Sequence, residues 1–324
     1  MTNGLVSIII PTYNRAHLLG DTLNSVLSQT YTNWECLVID DSSTDDTENI
    51  VTGFCKKDQR IQFYKRPESI LKGANSCRNY GFELSSGEYV NWFDSDDIML
   101  PDFLEKKINA FTTEIQFVIT SGFNWFPNED SKIILEIENT DNLYADFILW
   151  KIKILTPSVL FRKSFLSSKE LFNTTMKRGQ EAELFARIFF ECNSADYKII
   201  QEYGFLYRQH EDSKSAKNAI YNKGYKESLL YFLFENFKRS EKIKSNELLD
   251  FFYDRLIKLF VTSNRNNHQA VTSSILNEFF PLLLKYDKVK ALELIFLGKV
   301  MSAFKKSPQK LRNRWLRFKF NWNG

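Results

Sequence analysis

The sequence holds few of the residues that would signal a metal cage, a redox pair or an export route. Cys36, Cys55, Cys77 and Cys192 include no C-x-x-C pair. Three of the four fall in apolar-periodic segments, which predicts buried free thiols. Histidines number three, His17, His210 and His268. No run reaches the roughly 18 apolar residues of a spanning helix. The opening MTNGLVSIII lacks the charged region and apolar length of a signal peptide. A reducing, cytoplasmic location is the expectation. Internal repeats and low-complexity linkers are absent, and the net charge of +3 argues neither for nor against an acidic partner.

What is present suits a soluble globular protein. Its 324 residues are 43% hydrophobic and 26% charged. That length allows one large domain with an appendage, or two domains. The 29 phenylalanines supply material for a sizeable core.

Strand and helix patterns alternate through the first half. VSIII is a buried-strand run, PTYNR a loop, and Leu19, Leu23, Val26 and Leu27 repeat at helical spacing before WECLVIDD. IQFYKR reads as a third strand, a helix follows from about 74 to 84, and GEYVNWF is the fourth strand. Pro101-Asp102 opens the next helix, and IQFVITSGF is a fifth strand. This order predicts an α/β fold with a mostly parallel sheet and helices on both faces. A hairpin is expected around 132–138 and a helix through Trp150. SVLF and YKII read as short strands flanking the helix QEAELFARIFFEC. Beyond residue 215 the strand signals stop and amphipathic helical stretches take over, ending in an apolar segment around Ala291 to Met301. The expected division is 1–215 as an α/β domain and 216–324 as a helical C-terminal region.

Open parallel sheets bind ligands at the carboxyl ends of their strands. Strand one ends in Pro11, Thr12, Tyr13, Asn14 and Arg15; strand two in Asp40, Asp41, Ser42 and Ser43; strand four in Asp94, Ser95, Asp96 and Asp97. These polar clusters should therefore share one sheet edge. The D-S-D spacing suits Mg²⁺ or Mn²⁺, which take carboxylate oxygens and substrate phosphate oxygens. A helix-capping turn would need the same residues, so both readings stand on spacing alone.

Taken together, VSIIIPTYNR, LVIDDSSTDDT and GANSCRNYGFELSSGEYVNWFDSDD resemble the inverting family-2 glycosyltransferases of the GT-A, Rossmann-like fold. The order and spacing match over roughly the first 100 residues, and weaker motifs extend the match to about residue 215. The resemblance implies that Tyr13 packs on a nucleotide base with Pro11, Thr12 and Arg15 beside it, and that Asp41 contacts the uracil edge. It places Arg78 near the nucleotide, Asp94 and Ser95 with the ribose or sugar, and Asp96 as principal ligand of a Mn or Mg ion. Inversion requires a base for the acceptor hydroxyl. RGQEAELFARI matches the family block that supplies it, with Glu181 in the catalytic position and Gln180 where the family often has Glu. A helix N-terminus stabilises negative charge there. His210, in LYRQHEDS, matches a segment near the diphosphate or metal, with Arg208 beside it.

The last stretch, 304–324, carries Lys305, Lys306, Lys310, Arg312, Arg314, Arg317 and Lys319 and no acid. Leu311, Trp315, Phe318 and Trp322 recur along one helix face. Such a helix can lie in an anionic membrane interface, or dock its aromatics on the domain. RNA binding is a weaker third option, as no RNA-recognition motif accompanies the charge, and no nucleic-acid partner is expected. The resemblance implies a nucleotide-sugar donor, UDP-linked, a glycan or lipid-linked acceptor, and bacterial surface-polysaccharide assembly at the inner face of the plasma membrane. Two rivals remain. A sugar nucleotidyltransferase would need a Gly-rich loop after strand one, where PTYNR has none. An inactive sugar- or lipid-binding protein would tolerate loss of Asp94, Asp96 and Glu181.

Overall fold

The computed structural model describes residues 4–209 and 221–321. The chain divides into two compact units, Met1–Thr174 with Gln180–Lys217, and Thr175–Gly179 with Asn218–Gly324.

The first unit opens with β1 (Val6–Thr12), α1 (Ala16–Leu27), β2 (Trp34–Asp40), α2 (Thr47–Lys57), β3 (Ile61–Lys65), α3 (Ala74–Leu84) and β4 (Tyr89–Trp92). It continues with β5 (Ile98–Met99), α4 (Phe103–Asn109), β6 (Phe117–Phe126), β7 (Ser131–Leu135) and α5 (Leu143–Ile148). Then follow β8 (Val159–Arg162), α6 (Lys163–Leu166), α7 (Gln180–Glu191) and β9 (Tyr197–Arg208). Among the described residues, nine strands form one sheet in the order β3-β2-β1-β4-β8-β6-β9-β5, with β7 paired to β6.

Every residue of β1 and β2 is buried, the signature of strands covered on both faces. β1 pairs in parallel with β2 on one side and β4 on the other. The chain therefore crosses over β1 between β3 and β4, and this reversal opens a crevice at the strands' carboxyl ends. Parallel pairing holds for β3-β2-β1-β4; β8 then runs antiparallel to both β4 and β6. In this mixed half β6 is antiparallel to β7 and β8 and parallel to β9, which is antiparallel to β5. The expected hairpin forms between β6 and β7.

Two elements differ from their sequence expectation. The helix expected through Trp150 ends at Ile148, and Trp150 adopts φ 61° in the left-handed region. YKII is only the start of β9, which runs 12 residues to Arg208 and brings that residue to the edge where β1 and β4 end. The two-residue β5 was too short to show a period, yet it pairs with β9 and anchors the acidic turn before it. The core of this unit is rich in rings: Phe117, Phe161, Phe185 and Phe189 stack in series, with centroids 5.3 to 6.2 Å apart.

The second unit is helical: α8 (Lys223–Lys242), α9 (Asn246–Arg265), α10 (Gln269–Ser274), α11 (Phe280–Leu282), α12 (Lys288–Phe304) and α13 (Gln309–Trp315). Asn222, Ser245 and Asp287 cap α8, α9 and α12 by accepting backbone N–H groups. Between α10 and α11 the helix widens to a π turn over Ile275–Phe279 just before Pro281. No helix among the described residues is long and apolar enough to cross a membrane.

Of the two readings that the tail's spacing left open, Trp315 and Phe320 follow docking on the domain. α13 ends at Trp315, which is fully buried against Phe260 and Phe280, while Phe320 packs on Phe237 and Tyr253. Tyr253 Oη donates to the Trp315 carbonyl at 3.0 Å. The rings are drawn inward because the unit's own apolar surface accepts them, leaving Arg314, Arg317 and Lys319 exposed. Trp322 lies outside the described residues.

Candidate active site

The loops after β1 and β2 form one locked cradle. Asn14 and Ser42 both take left-handed φ, 50° and 66°. The Asn14 N–H donates to Ser43 Oγ at 2.9 Å, and the Thr44 N–H donates to Asn14 Oδ1 at 2.8 Å. The Asp41 N–H donates to the Thr12 carbonyl at 2.9 Å, so the ladder continues past the strand ends. The Ala16 N–H donates to Asp45, as do the Thr47 hydroxyl and N–H. Burial pushes the Asp45 carboxyl up, but these donors outweigh it and leave it below the usual carboxylate range.

Tyr13 projects from the cradle at 44% exposure, with the Lys72 ammonium 4.1 Å from its ring centroid. Pro11 and Thr12, by contrast, are buried within β1. Asp41 is also buried. Its Oδ1 accepts from Arg66 Nε at 2.6 Å and from the Gly73 N–H at 3.1 Å. Gly73 has φ 143°, a conformation that favours glycine. Arg66, Lys72 and Gly73 were missed by sequence reasoning. Reading the end of the third strand, as was done for strands one, two and four, would have found Arg66.

The acidic turn after β4 is held by three arginines from three elements. Arg78, on α3, is 5% exposed and donates to Asp94 Oδ1 at 2.7 Å. It is therefore not a solvated helix residue. Arg15 Nε lies 3.5 Å from Asp96 Oδ2. Arg208, at the end of β9, donates through Nε to the Asp96 carbonyl at 2.8 Å and through its N–H to Asp97 Oδ1 at 2.9 Å. Asp97 thus ties β9 to the turn and does more than cap it. Ser95 is buried between these carboxylates.

Burial pushes the Asp94 carboxyl up; Arg78 pulls it down, and the charges of Asp96 and Glu181 push it up again. Asp97 is pushed well up by burial and then by Asp96 and Asp94, against the pull of Arg208. Glu181, half-buried in the first turn of α7, acts on Asp94 through its charge alone. Its neighbour Glu183 plays a different part. Buried at 2%, it accepts from Arg187 Nε at 2.6 Å one turn along the helix.

Among the described residues, five buried polar atoms on this edge lack a protein partner: Thr12 Oγ1, Asp40 Oδ1, Ser76 Oγ, Arg78 Nε and Asp97 Oδ2. Such atoms are expensive to bury unless a ligand or water completes them. Among the described residues no group of three or more His, Cys, Asp and Glu side chains is arranged to hold a metal. A hard divalent ion needs only one or two carboxylates when substrate phosphates complete its shell. Asp94 and Asp96 supply carboxylates of that kind, each already facing an arginine, Arg78 and Arg15. His210 lies outside the described residues.

Residues 7–172 match the model of the family described as glycosyl transferase family 2, just over half of the chain. An uncharacterised glycosyltransferase of Rickettsia bellii is 33% identical over 186 residues, covering 56% of this chain and 26% of that protein. The chain spans 26% to 30% of the length of three such rickettsial relatives. The Escherichia coli UDP-Glc:alpha-D-GlcNAc-diphosphoundecaprenol beta-1,3-glucosyltransferase WfgD is 42% identical over 109 residues, 34% of this chain and 42% of its own. The structure of S. aureus TarS 1–349 in complex with UDP-GlcNAc aligns with a TM-score of 0.63 at 17% identity, covering 94% of this chain and 93% of that one. That likeness carries the fold, a GT-A arrangement with a helical C-terminal region. Since the family match runs from β1 through β8 and takes in the cradle, Arg78 and the acidic turn, the chain belongs to glycosyl transferase family 2.

Proposed function

We propose that the chain is an inverting, metal-dependent glycosyltransferase that moves a sugar from a UDP-linked donor to a hydroxyl of a glycan or lipid-linked acceptor. The observation that carries this reading is the acidic turn Asp94–Asp97, crossed by Arg15, Arg78 and Arg208 at the carboxyl edge of the sheet, with Glu181 in electrostatic reach. The names of WfgD and of the TarS complex support a UDP-sugar donor and, for WfgD, a diphosphoundecaprenol-linked acceptor. Bacterial surface-polysaccharide assembly at the cytoplasmic face of the membrane is the setting proposed.

Tyr13 stacks on the base, with Pro11 and Thr12 beneath it and Asp41 at the base edge. Arg15, Arg78, Asp94 and Ser95 hold the ribose, diphosphate and sugar in line for attack. Asp96, with His210, would hold a Mn or Mg ion, which when bound neutralises charge on the leaving diphosphate. Glu181 accepts the acceptor hydroxyl proton as that oxygen bonds to the anomeric carbon and the bond to the diphosphate breaks. Attack opposite the leaving group inverts the anomeric centre. Residues 1–215 are proposed as the catalytic domain, and 216–324 as a helical region that lends its basic tail to peripheral membrane contact.

Incubation with Mn²⁺ or Mg²⁺ and a panel of nucleotide sugars tests the reading through donor hydrolysis and thermal stabilisation. Metal-dependent UDP-sugar turnover is expected, and absence of any metal-dependent nucleotide binding would overturn the assignment. Glu181→Gln should retain donor binding and lose transfer by roughly 10²- to 10⁴-fold. Unchanged transfer would remove Glu181 from its role. A sugar nucleotidyltransferase would instead form nucleotide sugar from nucleoside triphosphate and sugar phosphate. An inactive binding protein would bind the donor and leave it intact.

A further inference from the structure

Helix α12 is apolar on both of its faces. Its inner face buries Ala291, Leu294, Gly298 and Met301. Gly298 is needed there because an added Cβ would stand 2.6 Å from Leu276 Cδ2 and 3.0 Å from Phe280 Cε2. Its outer face carries Val289, Leu292, Phe296, Val300 and Phe304 at three- and four-residue spacing, exposed by 79%, 59%, 68%, 39% and 71%. An apolar helix face is normally covered by another apolar surface. Single exposed apolar residues need no explanation, but a continuous stripe of five does.

The charges beside the stripe say what covers it. Lys288 and Lys299 are exposed on the same helix, and Lys305, Lys306 and Lys310 continue from its end. The one acidic side chain on α12, Glu293, is turned to the protein, where it accepts from Lys290, Arg314 and Trp315 Nε1. An apolar stripe edged by lysines is self-repulsive toward a second copy of itself and complementary to an anionic lipid surface.

We propose that the outer face of α12 inserts into the interface of an anionic bilayer, with Lys288, Lys299 and Lys305–Lys306 on the headgroups. Trp315 and Phe320 of the tail are not inserting groups, because both are buried. The tail adds charge, and α12 supplies the apolar contact. This holds whatever reaction the first unit performs.

Vesicle co-sedimentation of the full chain tests it, using phosphatidylcholine vesicles with and without phosphatidylglycerol. Binding is expected only where phosphatidylglycerol is present. Leu292→Ser with Phe296→Ser, both at exposed positions, should weaken it by about tenfold or more. Lys299→Glu should weaken it about fivefold, and raised salt should weaken it in parallel. Phe296→Trp should show a blue-shifted emission on adding the anionic vesicles. The proposal is overturned if the full chain ignores anionic vesicles, or if the double serine variant binds them as the parent does. It is equally overturned if light scattering finds a dimer that the double variant dissolves, since the stripe then belongs to a second copy.

Discussion

At Asp41 one carboxylate oxygen accepts from both Arg66 Nε and the Gly73 N–H, and both charged side chains are buried. Removing one member of a buried pair leaves the other charge uncompensated. Asp41→Ala should therefore cost about 3–5 kcal/mol in urea denaturation at neutral pH, and Asp41→Asn, which keeps an acceptor, should cost less. The measurement separates Asp41's structural part from its proposed contact with the base, because denaturation needs no donor. Arg78 makes the same point in reverse. Arg78 is buried on α3, and its guanidinium is turned onto Asp94. Such an assignment depends on which side of a helix meets the sheet, and a short polar block carries little of that information. Glu181 and Glu183 show a clearer division: their two-residue spacing separates them around the helix, so the charge of one bears on Asp94 while the other locks onto Arg187.

Among elements, α3 approaches β1 and β2 closely at Gly81, where an added Cβ would stand 2.4 Å from Ile9 Cγ2 and 3.1 Å from Ile39 Cγ1. Glycine in a helix interior is unfavourable by itself, so its place here reflects that approach. Gly81→Val should destabilise the chain by about 1–3 kcal/mol or more through overpacking, read as a shift in denaturation midpoint. In the helical unit, burial pushes Glu293 up, but Arg314, Trp315 and Lys290 outweigh it and hold the carboxyl below the usual range. A depressed carboxyl contributes stability above its unfolded pKa and loses it as pH falls through the folded one. Glu293→Gln should therefore be less stable than the parent by roughly 1–3 kcal/mol near pH 7. That difference should close as pH drops below about 4, followed by helical circular dichroism in urea. The parallel βαβ elements were legible in the sequence because their strands are mainly apolar or aromatic runs punctuated by helices. β5 and most of β9 were not, because two residues show no period and β9 alternates irregularly across register shifts opposite Thr120 and Ser121.

For the molecule as a whole, a ligand that binds only the folded state stabilises it by mass action. UDP with Mn²⁺ at about a hundred times its dissociation constant should add about 2.7 kcal/mol, and Asp96→Asn should abolish the metal-dependent part of that gain, both read by thermal melting. The sequence by itself determined the α/β class, the helical C-terminal region and the polar strand ends that must share one edge, because hydrophobic period and the alternation of strands with helices are readable along the chain. It also carried the family resemblance, since the blocks around Tyr13, Asp41, Arg78 and Asp96 lie close together along the chain. Tertiary structure alone decided which groups meet: the Arg66 guanidinium with Asp41, the backbone N–H of Arg208 with Asp97 across 111 residues, and the charge of Glu181 with that of Asp94. It also decided that Trp315 is buried while Phe296 faces outward. Both tail and α12 have apolar residues at helical spacing, and only packing against the rest of the unit selects the face that is covered.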